Sequence, residues 1–247
     1  MRYDPKGNSI DRAVDGVRFE EIEPPARLKS IVHRFLELKT EGLLKDDYRF
    51  HALPDACTYA IFDQQKPVVA GITRLRASFQ ELNLGRSFHF INVRFLPGVW
   101  QSERSPVELG SIEEPYAGDL PLVAFNERLV GQSLESSVPV LVELVEMLRA
   151  WELVVENPVT EKIFSHVDDI FSVTDMAEVA DLSPRQLQRV LKRTTGFSPH
   201  DFLKILRLQQ SLRGEPSLAY ADQSHFIHSF KKATGYTPGR YARKFDV

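Results

Sequence analysis

The sequence predicts an α+β protein: a β-rich N-terminal half of barrel or sandwich type with accompanying helices, followed by an all-α C-terminal half. Three observations carry this. From Tyr48 to Trp100, short runs of β-branched and aromatic residues alternate with turn residues. From Val138 onward, apolar residues recur at helical spacing. Asn157 and Pro158 break the chain between two helical stretches, which divides its 247 residues into segments 1–156 and 157–247.

In chain order, Val17 to Pro25 reads as a short extended segment. Pro24 and Pro25 mark a helix start, and Leu28, Ile31, Val32, Phe35 and Leu38 follow at helical spacing, so a helix with one core face is expected there. Strands are expected over Phe50–Phe62, Pro67–Ile72, Leu75–Leu84 and Ser87–Leu96, with a tight turn at Asn83–Arg86 around Gly85. In the last strand, Phe88 and Phe90 share one phase and Ile91, Val93 and Phe95 the other. Either both faces are buried or a bulge near Phe90 resets the register. Such a barrel encloses a ligand or is filled by its own side chains. Phe79, Phe90, Trp100, Arg74, Arg76 and Arg94 are candidates to line a pocket for an acidic or aromatic molecule, or else are core and surface.

After Pro97 and Gly98 the chain is loop-like as far as Pro121. Over Val138–Val155 the apolar stripe Leu141, Leu144, Val145, Leu148, Trp151 and Val155 has Glu143, Glu146 and Glu152 opposite. This stripe packs on the barrel or on the same helix of a second subunit. Thr160 is expected to cap a helix that turns Ile163, Phe164, Val167, Ile170 and Phe171 inward.

The segment Thr174–Gly196 reads as a helix-turn-helix. A first short helix carries Met176, Ala177, Val179 and Ala180 toward a core, and the chain turns at Asp181 and Leu182. Ser183 is a natural N-cap, and Pro184 at the first helical position gives up no needed donor. Leu187, Val190 and Leu191 then form the inner stripe, leaving Arg185, Gln188, Arg189, Lys192 and Arg193 facing out or flanking it. That face suits a DNA major groove, because Arg reads guanine O6 and N7 with two bonds and Gln reads adenine similarly. An ordinary amphipathic hairpin with a solvated basic face is the plainer alternative.

Charge is distributed unevenly. The chain carries −3 overall, yet from Ser183 to its end twelve Lys and Arg face four Asp and Glu, a formal +8; residues 1–182 carry −11. A basic segment behind an acidic body is the footprint of a nucleic-acid reader with a separate control domain. No apolar run approaches ~18 residues, and MRYDPKGNSIDR lacks a signal-peptide apolar core, so no membrane partner and a cytoplasmic location are expected. Cys57 cannot form an internal disulfide and fits a reducing compartment, in a packing role.

Beyond Gly196, FSPHDFLKILRLQQSL forms a long helix, and DQSHFIHSFKKATGYTPGRYARKF places Phe226, Ile227 and Phe230 inward. LQRVLKRTTGFSPHDF and FIHSFKKATGYTPGRY echo each other: a helix, a basic pair, Thr-Gly, an aromatic, Pro and a closing aromatic. At these residues the chain resembles the AraC/XylS family of bacterial transcription regulators, over about its last third. EPPARLKSIVHRF, ALPDACTYAIFD and VRFLPGVW carry a weaker likeness to sensor regions of a subgroup of that family.

The resemblance implies two helix-turn-helix units joined by one helix and entering successive major grooves of double-stranded DNA, with action through RNA polymerase. It implies an N-terminal domain for sensing a small-molecule effector or forming a homodimer. Carried over by position, the base-reading residues fall on Arg185, Gln188 and Arg189 in the first unit and on Gln223, Ser224, His225 and His228 in the second. Helix-start amides, with Lys192, Arg193, Lys231 and Lys232, are candidates for phosphate. One departure from the family's pattern stands out: its members usually place a whole scaffold helix, ending in a Gly-aromatic pair, between the linker helix and the DQSHF-like signature, whereas here only RGEPSLAYA separates Leu212 from Asp222, too few residues for that helix. Deleting the second unit is therefore expected to cost less affinity than disabling the first.

Two rivals remain. A metal-dependent β-barrel enzyme would use His33, His51 and His89, but no metal-binding spacing of His or Cys occurs, and adjacent Glu113 and Glu114 diverge in an extended chain. No catalytic residue, cofactor or metal site is expected. A protein-binding adaptor that has lost DNA specificity is the other rival; the retained basic face argues against it.

Overall fold

The computed structural model describes residues 3–6, 8–73, 75–101, 114–213 and 223–246. A five-stranded antiparallel sheet is built from β2 (Val17–Ile22), β3 (Val32–Thr40), β5 (Thr58–Asp63), β6 (Ala70–Ile72) and β8 (His89–Phe95), in the order β2-β3-β8-β5-β6. The central strand β8 is covered on both faces. Ile91, Val93 and Phe95 join Phe35 and Phe62 beneath helices α1 (Leu122–Leu129) and α2 (Leu134–Ala150). Phe90 turns the other way, into a cluster with Leu38, Tyr48 and Phe88. Pairing runs unbroken through Phe90 to both neighbours, so two buried faces, not a bulge at Phe90, explain its two apolar phases; the register shift lies in β3, between Val32 and Arg34.

The helix expected over Leu28–Leu38 is not formed. A short 3₁₀ turn spans Ala26–Leu28, and Val32–Thr40 is strand β3. The physical reason is the same two-faced burial: Phe35 enters the cluster under the helices while Leu38 enters the opposite one. Apolar residues on both phases of a strand mimic a helical repeat. The region expected as one strand, Phe50–Phe62, is two, β4 (Arg49–Ala52) and β5, interrupted at Ala56, whose φ is +57°. Gly85 does occupy the expected turn, with φ +74°.

A second sheet pairs β1 (Asn8–Asp11), β4, β7 (Gln80–Asn83) and β9 (Phe245–Asp246) in the order β7-β4-β1-β9. Its last strand comes from the far end of the described chain. Between the two sheets lies a cavity walled by Phe19, Leu38, Phe50, Ile61, Leu82 and Phe90. Of the proposed lining residues, Phe90 and Arg76 border it; Phe79 and Trp100 pack elsewhere, Arg94 belongs to a buried polar cluster, and Arg74 lies outside the described residues.

The helical stripe Leu141, Leu144, Val145 and Leu148 packs on the five-stranded sheet, the first of the two arrangements it allows. Helix α2 stops at Ala150, so Trp151 and Val155 are exposed. Asn157, not Thr160, caps α3 (Pro158–Ser165): its side chain accepts from the amides of Val159 and Thr160. Thr160 is buried and donates to Pro97 O at 3.0 Å, and Phe171 is exposed.

The helical half is locked to the sheets. Tyr3 stacks on Phe164 at 4.4 Å and donates to Asp55 O. Gln209, buried on α6 (Pro199–Leu212), accepts from Lys6 N and donates to the carbonyls of Lys6 and Pro54. Arg94, also fully buried, meets Glu21 at 3.1 Å and donates to Tyr59 Oη, Pro5 O and His33 Nδ1.

Candidate nucleic-acid interface

The first unit consists of α4 (Val173–Val179) and α5 (Pro184–Thr195). Ser172 caps α4 by accepting from Asp175 N, and Met176 and Ala177 are buried beneath it. The turn passes through Asp181 in the left-handed region, φ +54°. Short polar side chains tolerate that conformation best after glycine. Ser183 then forms a reciprocal capping box: its Oγ accepts from Gln186 N at 3.3 Å, and Gln186 Oε1 accepts from Ser183 N at 2.9 Å. Gly196 ends α5 with φ +71°.

Leu187, Leu191 and Thr195 fix the inner face of α5 in a core shared with Phe164, Phe202 and Leu206. The five donors expected on its outer face, Arg185, Gln188, Arg189, Lys192 and Arg193, are all exposed. Spacings of three and four residues bring them onto one side. No ion pair among the described residues engages Arg185, Arg189 or Arg193, whereas Lys192 Nζ donates to Gly196 O at 2.9 Å. Among the described residues, no carboxylate neutralises these arginine heads.

The second unit is held differently. Helix α7 (Gln223–Thr234) follows α6 after ten residues, of which 214–222 lie outside the described residues; the expected shortening of the scaffold helix falls there. Ser224, His228, Lys231 and Lys232 are exposed on α7, while the side chains of Gln223 and His225 lie outside the description. Ile227, expected inward, is 38% exposed. Phe226 and Phe230 pack with Leu208 and Leu212 of α6, Tyr241 of α8 (Pro238–Lys244), Phe245 of β9 and Leu53 beside β4.

Sequence reasoning missed the N-terminal side of this unit. Phe79 N donates to Ala233 O at 2.9 Å, and the Phe79 ring lies so close to Gly235 that a Cβ there would sit 2.7 Å from it. His51, buried, is surrounded by Phe79, Tyr236, Tyr241 and Phe245, with ring centroids 4.8 to 6.0 Å away. Burial pushes its imidazole below the ordinary histidine value. His228 and Lys232 share a cleft with Lys204 and Asp201 of α6 and with Ala77 and Ser78 of the loop before β7. No motif in the sequence marks residues 76–79 as neighbours of α7.

The three strand histidines do not converge. His33 contacts Asp4 and Arg94, His51 sits among aromatic rings, and His89 meets Glu37 at 2.9 Å. Among the described residues no three His, Cys, Asp or Glu are grouped to hold a metal. Glu113 lies outside the described residues. Cys57 is buried, and that burial pushes its thiol well above the ordinary range. No helix among the described residues is long and apolar enough to cross a membrane.

Residues 20–103, the greater part of the two sheets, match the family described as Domain of unknown function (DUF6597). No solved structure matches the chain. Two curated relatives do: the HTH-type transcriptional regulator MtrA of Neisseria gonorrhoeae, 28% identical over 114 residues, which are 42% of this chain and 38% of the relative; and the HTH-type transcriptional regulator GlxA of Rhizobium meliloti (strain 1021), 32% identical over 97 residues, 35% and 30% of the two chains. The chain thus spans less than two-fifths of the length of either relative. A capped helix pair with an exposed basic outer face therefore occurs in a chain that is similar, over part of its length, to HTH-type transcriptional regulators.

Proposed function

We propose that this chain is a cytoplasmic transcription regulator of the AraC/XylS type that binds double-stranded DNA in a sequence-specific way. The observation that carries the reading is the outer face of α5. Arg185, Gln188 and Arg189 project from a rigidly capped helix with no carboxylate among the described residues to occupy the arginines. Bidentate reading of guanine and adenine edges in the major groove uses these side chains. Lys192, Arg193, Lys231 and Lys232 are assigned to phosphates, which fix register and make affinity fall with salt. On α7, Gln223, Ser224, His225 and His228 are assigned to a second, weaker set of base contacts. Residues 1–156 serve as an effector-sensing or dimerising part, 157–247 as the DNA-binding part, and bound protein acts on RNA polymerase.

The test is selection of bound fragments from a random duplex library at near-physiological salt. The reading predicts a recovered motif, long enough for one strong and one weaker half-site. Binding without enrichment that vanishes as salt rises would count against sequence-specific reading and in favour of an adaptor.

A further inference from the structure

The cavity between the sheets is apolar except at Tyr59, Thr73, Arg76 and Asn92, and the Tyr59 hydroxyl is already engaged by Asp55 and Arg94. Asn92 Oδ1 is buried and has no hydrogen-bond partner. Arg76 borders the cavity, and no hydrogen bond or ion pair among the described residues engages its guanidinium. Thr73 Oγ1 accepts from Tyr59 N. A buried amide oxygen left unpaired costs stability, so its presence calls for a partner that arrives from outside. The cavity holds about 70 Å³.

The same walls touch the second reading unit. Phe50 and Leu82, cross-strand partners on β4 and β7, face the cavity, and the next residue along β4, His51, faces the aromatic cluster of α8 and β9. Alternation along a strand requires this opposition. Residues 76–79 are a still shorter path. Arg76 borders the cavity, Ala77 and Ser78 border the cleft beside His228 and Lys232, and Phe79 bonds the C-terminal turn of α7.

We propose that this cavity binds a small hydroxy- or amino-carboxylic acid with an apolar body, its carboxylate on Arg76 and its donor on Asn92 Oδ1, and that the bound acid, through residues 76–79, fixes helix α7. The consequence for DNA rests on the function proposed above; the binding itself does not. A ligand that meets Arg76 restrains the segment from which Phe79 holds Ala233 and Gly235, so α7 becomes more ordered, while α5, whose inner face lies in another core that this segment meets at partly buried Leu75, changes less. Control of the second unit then lies in the N-terminal sheet that helps support it.

The test uses the full chain without DNA, with hexanoate and benzoate as probes, each with and without a hydroxyl group. Thermal unfolding reads binding, and amide hydrogen exchange reads the order of α7 and α5. A hydroxylated acid is expected to raise the Tm of the wild type and slow exchange across 223–234 more than across 184–195. Arg76→Gln and Asn92→Leu should each weaken binding at least ~10-fold, the loss of one hydrogen bond to a charged or buried group. Asn92→Leu, by removing the unpaired oxygen, should also raise the Tm of the unliganded protein by roughly 2–4 °C. Phe79→Ala should retain the probe's Tm shift and lose the response of α7.

Absence of any shift in the wild type, or a shift that survives both cavity variants, would overturn the ligand assignment. An α7 response unchanged in Phe79→Ala would overturn the path through residues 76–79. None of these results depends on DNA, so the reading of α5 stands or falls separately.

Discussion

At the scale of single residues, the least replaceable side chain is Arg94. It is 1% exposed and holds Glu21, Tyr59, His33 and the Pro5 carbonyl together. Truncating one partner of a buried ion pair leaves an uncompensated charge, so Arg94→Ala should lower unfolding free energy by about 3–5 kcal/mol in urea titrations. A loss below about 1 kcal/mol would mean that water enters the cluster and screens Glu21. In sequence, Arg94 reads as a surface cation on a strand, or at most as a pocket residue. Nothing local reveals that a β strand's polar phase faces a second sheet instead of solvent.

His33 gives the same cluster a pH dependence. Because a guanidinium only donates, His33 Nδ1 must accept from Arg94, which puts the ring proton on Nε2 toward Asp4, 3.0 Å away. That hydrogen bond holds the Asp4 carboxyl far below the usual carboxylate range, while burial pushes the His33 imidazole below its ordinary value. Both His33 and His51 therefore bind protons less readily folded than unfolded, and stability is lost as pH falls below about 6.5, the value in the unfolded chain. Asp4, whose folded value is depressed, contributes its loss only at still lower pH, within the carboxylate range. The urea midpoint should fall between about pH 8 and about pH 5.5, and His33→Gln should flatten part of that slope. A midpoint that rises on acidification would contradict the assignment.

Among the elements, α5 was the most legible. Ser183, Pro184 and the Leu187–Leu191 stripe are start and inner-face signals within one short segment, and each occupies its expected role. The Gln186 half of the capping box adds a second bond. Ser183→Ala should cost about 1 kcal/mol of stability and fray the turn that carries Arg185. Thermal unfolding with hydrogen exchange over residues 183–188 reads both effects; unaltered exchange there would show that tertiary packing alone fixes the helix start. Strand β3 was the least legible element. Its apolar residues serve two cores, and a strand buried on both faces loses the period-two signature that identifies strands. The cap of α3 was misassigned for a simpler reason: Asn157 precedes Pro158, and a break signal and an N-cap signal coincide there.

At the scale of the whole molecule, the sequence suggests two parts joined at Asn157, and the structure binds them closely. Strand β9 completes the sheet of β1 and β4, Gln209 bridges Lys6 and Pro54, and Phe245 stacks on His51 at 4.8 Å. These contacts join residues more than 150 positions apart, and no sequence period encodes them. They also change how the unequal weight of the two units must be tested. A chain ending near Gly214 would remove β9 and open the aromatic cluster around His51, so it would unsettle the N-terminal sheet as well as remove α7. Point substitutions on exposed faces avoid that damage.

The most direct measurement of the central claim, that α5 reads bases, is therefore an affinity titration on the selected duplex and on a scrambled duplex of the same length. Wild type, Arg189→Ala and His228→Ala would be compared at one salt concentration. Arg189→Ala should weaken binding to the selected site by roughly 5- to 150-fold, the loss of one bidentate base contact of about 1–3 kcal/mol, while binding to the scrambled duplex changes much less. His228→Ala should lose less at the selected site. Equal losses by Arg189→Ala on both duplexes would reduce Arg189 to a phosphate-attracting charge and contradict base reading by α5.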